Sequence, residues 1–353
     1  VNTSRTLIAL TLLAALGPLG ARAAPDESAL TVRQHWNVGG EGGWDYLTLD
    51  PTGLRLFVSR STHVDVIDTA TGRITATIPN TEGVHGIALA QGLNRGYTSN
   101  GRADSVTVFD LGTLRTIKEV KIDAQNPDAI LYEPRGKHVF TFNGKSKNVT
   151  VIDAVGLTPV ATLPVPGKPE FAVDDGAGRI FVNIESESGQ MVVIDSRSLA
   201  IEATWNLPGC ASPTGLAIDR VHHRLFSVCE DHVMAVTDAV TGKQAARVKI
   251  GEGPDAAAYD PKRKLVFSSN GDGTLTVIHQ TAPDHYDVID TLATMKGGRT
   301  MALDPLSGRI YIASAKFGAT PSANAAQPHP RPAILAGSFT VLVVGAKSAA
   351  LPR

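Results

Sequence analysis

Seven residues stand in the same local context at intervals of about 40 to 45 along the chain. They are Asp45 in DYLTLDP, His85 in HGIALAQ, Asp128 in DAILYEP, Glu170 in EFAVDDG, Thr214 in TGLAIDR, Asp255 in DAAAYDP and Thr300 in TMALDPL. Carboxylates that converge repel and desolvate one another, which raises some of their pKa values or recruits a cation. Such a ring favours a cation, an amine or a polyhydroxylated ligand over a phosphate. His85, between Asp45 and Asp128, is suited to be a metal ligand or a general base. Two chemical readings follow: a divalent cation held by His85, Asp45 and Asp128, or catalysis by His85, Asp128 and Glu170. Arg60, Arg102, Lys145 and Arg299 bring the opposite charge to the same rim, as ion pairs worth roughly 0 to 1 kcal/mol each where exposed. The competing reading is that each Asp or Glu caps a turn by accepting backbone N–H bonds.

The elements that must position these residues are strands. After each of the seven positions comes a short apolar run, in most units ending at an Asp-Pro or similar turn. A second run follows, such as KHVFTF, RIFVNI or KLVFSS, then an alternating run such as VTVFD or VTVID, then a Thr-Gly type turn into a fourth run such as RITATIP. Period-two, β-branched segments punctuated by turn residues predict strands throughout. Repeats of this length and strand count predict an all-β, seven-bladed propeller of four-stranded antiparallel blades. With aromatics at 5% of residues, Val, Ile, Leu and Ala are expected to pack the blades. The seventh unit ends after its third strand, SFTVLVV, whereas LTVRQHWNVGG from Leu30 precedes the first unit and matches a fourth strand. Pairing the two closes the ring and removes its open edges. On this geometry the seven positions and the hairpins between second and third strands share one mouth of the central channel.

The segments GYTSNGRADSVTVFD, VFTFNGKSKNVTVID and VFSSNGDGTLTVI resemble the YVTN-type β-propeller repeat, and the resemblance runs from about Leu30 onward. Asn100, Asn143 and Asn270 match its asparagine, while Arg60, Ile184, Cys229 and Ala313 lie near that position in the other units. The resemblance implies an exported bacterial or archaeal propeller, with binding rather than a defined activity as its expected role. Each of the three asparagines precedes a glycine, and Asn-Gly predicts positive φ in a tight hairpin.

The N-terminus carries Arg5, an apolar run from Leu7 to Leu16 and the triplet Ala21-Arg22-Ala23. This is the layout of a signal peptide over 1–23, followed by one propeller over 24–353, periplasmic or secreted and with no membrane span after cleavage. Export suits a bridge between Cys210 and Cys229, which the strand directions bring to the same mouth. Lys plus Arg at 33 nearly balances Asp plus Glu at 34, which with the acidic ring speaks against a nucleic-acid partner. A Pro- and Ala-rich insert over about 316–336 emerges at the mouth, as a surface excursion or as a lid presenting Lys316, Phe317, His329 and Arg331. No Ser nucleophile motif, Walker loop, haem attachment motif or dinucleotide fingerprint occurs. The leading expectation is therefore a module that binds a small molecule or protein partner at the mouth through Asp45, His85, Asp128, Glu170, Thr214, Asp255, Thr300, Arg60, Arg102 and Arg299. The alternative is a metal-assisted hydrolase or lactonase using the same acidic and histidine ring.

Overall fold

The computed structural model describes residues 29–322, 330 and 332–347. The expected leader over 1–23 lies outside them, as do His329 and Arg331. Among the described residues the strands form seven four-stranded antiparallel sheets. Their inner strands are Leu47–Leu49, Val84–Ala90, Pro127–Glu133, Lys168–Asp174, Pro213–Asp219, Pro254–Asp260 and Thr300–Leu303. These contact one another in sequence order, and the last contacts the first, so the blades form a ring around the channel.

Ring closure is as the strand order predicts. Leu30–Asn37 pairs antiparallel with Thr340–Ala346 and supplies the outer strand of the seventh blade. Trp36 is buried there, with its ring centroid 5.4 Å from that of Tyr311. The backbone at Gly72 of the first blade lies against the indole, which leaves no space for a Cβ.

The blades do not pack through aliphatics alone. Phe57, Tyr97, Phe140, Phe181, Phe226, Phe267 and Tyr311 occupy one equivalent position in the seven second strands, each 0% exposed. Every blade thus has an aromatic ring at one equivalent buried site, where a large ring buries the most apolar area.

The three motif asparagines do not form the turns that Asn-Gly predicts. Each ends its strand with ordinary φ, and positive φ falls later in the hairpin, at Asp104, Lys147 and Gly273. The asparagine side chains are buried and staple the second strand to the third. Asn143 donates to Asn148 Oδ1 at 2.8 Å and Thr150 Oγ1 at 2.9 Å, and accepts from Thr141. Asn100 and Asn270 repeat the pattern with Thr107 and Thr276. Strand register puts Arg60, Ile184, Cys229 and Ser314 at this position in the other blades; the residue in the seventh is Ser314, one beyond Ala313.

In the fifth blade the staple is covalent. Cys210, in the connection entering the blade, is bonded to Cys229, with Cα atoms 5.2 Å apart and a sequence separation of 19. A loop of that length gives about 3 kcal/mol of stabilisation. A Cys210→Ser/Cys229→Ser double variant should therefore melt below the parent, and a reductant should lower the parent's melting temperature but not the variant's. Free thiols in non-reducing peptide mass spectrometry of the purified protein would count against the bridge.

Candidate functional site

A bulge aims the ring residues at the channel. In blades two to six the first inner-strand residue pairs with the end of the second strand, after which two residues oppose one. His85, Asp128, Glu170, Thr214 and Asp255 each begin such a bulge. Bulges bend a strand and redirect side chains beside functional sites. Asp45 holds the same place in the first blade, where its backbone N–H donates to Ser59 Oγ at 3.0 Å.

In the seventh blade the register corrects the sequence-based position. Thr300 pairs with Ala313, as Ala256 pairs with Ser269, so the counterpart of Asp255 is Arg299 and not Thr300. The ring therefore reads Asp45, His85, Asp128, Glu170, Thr214, Asp255, Arg299.

Basic groups neighbour most of its carboxyls. Arg299 Nη1 lies 2.9 Å from Asp255 Oδ2. His85 Nδ1 is 2.6 Å from Asp45 Oδ2 and 3.7 Å from Asp128 Oδ1, so one imidazole edge faces two carboxylates. Lys168, two residues before Glu170, contacts both Glu170 and Glu185. The carboxylates do not stand unneutralised, as a bare acidic ring would.

Burial still dominates their ionisation. Asp255 rises from its ordinary 3.8 to about 7, because desolvation outweighs the adjacent Arg299 and the charges of Asp45, Asp128 and Glu230 add to it. Asp128 and Glu170 move up for the same first reason, against the pull of His85 on the one and Lys168 on the other. Burial draws His85 down, but the Asp45 hydrogen bond and the charges of Asp128 and Asp45 more than offset it, so its net movement is upward.

A pH dependence follows from Asp255. Between about pH 4 and 7 the folded protein holds a proton that the unfolded chain has released, so stability falls as pH rises through that window and levels off above it. Asp238 and Asp219 are held below the usual carboxylate range by hydrogen bonds that outweigh burial, and their contribution disappears below about pH 4. The melting temperature should peak near pH 5 and decline by several degrees towards pH 8. Asp255→Asn should flatten the decline, whereas an unchanged profile in that variant would refute the assignment.

One residue below the ring lies a second layer that sequence reasoning missed: Tyr46, Gly86, Ala129, Phe171, Gly215, Ala256 and Thr300. Five of the seven are small. A Cβ at Gly86 would stand 2.8 Å from Ile130 Cγ2, and one at Gly215 would stand 2.6 Å from Ala256 Cα, so both glycines permit close approach of the next inner strand. Into the lumen left by the small residues reach two rings from opposite blades, Tyr46 and Phe171, with centroids 5.5 Å apart. They narrow the channel beneath the ring, so the mouth has the form of a cup with aromatic side chains at its base. Burial first, then the charges of Asp128, Glu170, Asp45 and Asp255, push the Tyr46 hydroxyl well above its ordinary value.

Not every predicted residue lines the cup. Thr214 donates to the Pro254 carbonyl at 2.9 Å and serves as a strap between blades. Arg60 is 1% exposed, stacks on Phe339 at 3.9 Å, and binds Asp65 and the carbonyls of Gly39 and Glu41. It takes over the stapling role of the motif asparagine. Arg102 and Lys145 are exposed on their hairpins. The foot of the insert is anchored by Gly318 N–H to Ala333 O at 2.8 Å and by Phe317 against Trp44, the residue before Asp45. Asp45, His85 and Asp128 each offer one donor atom, all within 4.8 Å of one another, and this grouping fits a divalent ion that accepts mixed nitrogen and oxygen ligands.

Comparison with known proteins places the fold. The family model "Lactonase, 7-bladed beta-propeller" matches residues 59–158. No curated protein matches the chain. Among solved structures the chain is similar to Kuenenia stuttgartiensis hydrazine synthase, at 18% identity over 84% of this chain and 96% of that one, with a TM-score of 0.68. A structure of the mitotic checkpoint complex matches at 13% identity over 98% and 99%, and the WD40 repeats of RRP9 at 10% over 91% and 99%, both with a TM-score of 0.72. At these identities the likeness is one of fold, and together with the closed ring of sheets it makes the chain a seven-bladed β-propeller.

Proposed function

We propose that the protein is an exported binding module, akin to the YVTN-type propellers, which holds a small polar molecule or a partner's side chain in the cup without transforming it. One observation carries this reading: ionisable side chains from six blades converge on one mouth of the channel, above the aromatic pair Tyr46 and Phe171. Concave sites with a few convergent polar groups are the usual form of ligand pockets. The bridge between Cys210 and Cys229 supports an oxidising compartment, periplasmic or extracellular. No described helix is long and apolar enough to cross a membrane.

The test is a thermal-shift screen of polar metabolites against the parent and an Asp255→Asn/Arg299→Gln double variant. A ligand at a hundred times its Kd stabilises by about 2.7 kcal/mol, which is readily seen. Shifts in the parent that vanish in the variant are expected. A panel that shifts neither protein, or both equally, would overturn the reading.

A second reading is favoured by the three donor atoms of Asp45, His85 and Asp128 and by the partial lactonase match. In this reading those residues hold a divalent cation, which when bound would supply an activated water for hydrolysis of a lactone or ester. Asp255 and Arg299 would orient the substrate. Metal analysis after dialysis against zinc, manganese or calcium, together with lactone turnover, distinguishes the two. Stoichiometric metal and turnover, both lost in His85→Ala, would favour hydrolysis; equal turnover in that variant would exclude His85 from it.

A further inference from the structure

The cup has a chemical preference beyond polarity, and this inference rests on the binding reading above. Five carboxyl groups, those of Asp45, Asp128, Glu170, Glu185 and Asp255, share three basic partners, His85, Lys168 and Arg299. The basic groups sit between carboxyl groups around the rim. Beneath them the floor is the two aromatic rings.

These features suit different ligand classes unequally. A phosphate or carboxylate would meet five carboxyl groups against three basic ones. A neutral polyol would gain hydrogen bonds but nothing from the ring faces. A bare divalent ion would engage Asp45, His85 and Asp128 and make no use of the aromatic floor. An alkylammonium uses both, with three donors for carboxyl oxygens, a positive charge for the carboxylates and the ring faces, and carbons for the rest of the aromatic surface.

We propose that the cup binds a primary ammonium group, with its charge and N–H donors among Asp45, Asp128 and Asp255 and its first carbons over Tyr46 and Phe171. Tyr46 is then the residue that determines ligand specificity. Butylamine, 1-butanol and butyrate are matched probes of similar size.

Calorimetric titration of the folded protein should show butylamine binding, weakened by added salt, with butanol and butyrate silent. Tyr46→Leu should weaken butylamine about tenfold, Tyr46→Phe should retain most of the affinity, and Asp255→Asn should weaken it by a similar factor. If Tyr46→Leu fails to fold by circular dichroism, Asp255→Asn and Asp128→Asn carry the test. Silence towards butylamine overturns the inference, as does equal binding of butanol or butyrate. Butylamine binding that survives both Asp255→Asn and Asp128→Asn places the amine elsewhere and also overturns it. In each of these cases the binding reading stands or falls separately, on the metabolite panel and its Asp255→Asn/Arg299→Gln control.

Discussion

A protein that lacks Leu30–Asn37 is expected to lose its cooperative melting transition or to melt far below the full chain, and to elute as aggregate. The segment supplies the whole outer strand of the seventh blade, paired from Leu30 with Ala346 to Asn37 with Thr340. Its loss leaves Thr340–Ala346 as an open edge of apolar, β-branched sequence, which is an aggregation template. It also removes Trp36 from its place over Tyr311, and Trp36→Ala alone should cost about 3 to 5 kcal/mol. Circular dichroism melting and size-exclusion chromatography check both variants. A truncated protein that melts like the parent would show that the ring does not depend on this closure.

The second large effect concerns Arg60. Arg60→Met should destabilise by about 3 to 5 kcal/mol, because it strands a buried carboxylate. Asp65 is 3% exposed and accepts from Arg60 Nη1 at 3.3 Å, with Thr77 as a further donor. The same guanidinium holds the carbonyls of Gly39 and Glu41, so its loss also frees the loop that leads to Trp44 and Asp45. Replacing both partners, as Arg60→Met/Asp65→Leu, should recover much of the loss, since an apolar pair of similar volume leaves no unpaired charge. Chemical denaturation of the two single variants and the double variant measures the coupling. Additive losses would mean that Arg60 acts only through the loop.

What was legible in the sequence followed from periodicity. The spacing of the units, the alternation within them and the unmatched strands at the two ends were enough for seven closed blades, because each is a regularity repeated many times. The errors came where a single residue decides. Thr300 was aligned through its apolar run, but the run's distance from the Asp304-Pro305 turn matches that of Asp255 from Asp260-Pro261 only when Arg299 is taken as the first residue. That offset was available as a signal. Asn-Gly was misleading because the hairpin is longer than two residues: Asn143 pairs with Asn148, so the strained φ moves to Lys147 and the asparagine is free to bond sideways. Arg60 resembled a rim charge because sequence spacing does not reveal that a long side chain has folded inward over Phe339. Tyr46 and Phe171 read in the sequence as ordinary strand residues. Their distinction appears only against Gly86, Ala129, Gly215 and Ala256, the small residues that the other blades place in the same layer.

That layer determines how the two faces of the molecule communicate. A propeller with an open axis is a conduit, and whatever reaches one end can in principle leave by the other. With the ring centroids of Tyr46 and Phe171 5.5 Å apart, side chains from two blades narrow the axis at this layer. A small side chain at either position would widen the passage between the two faces.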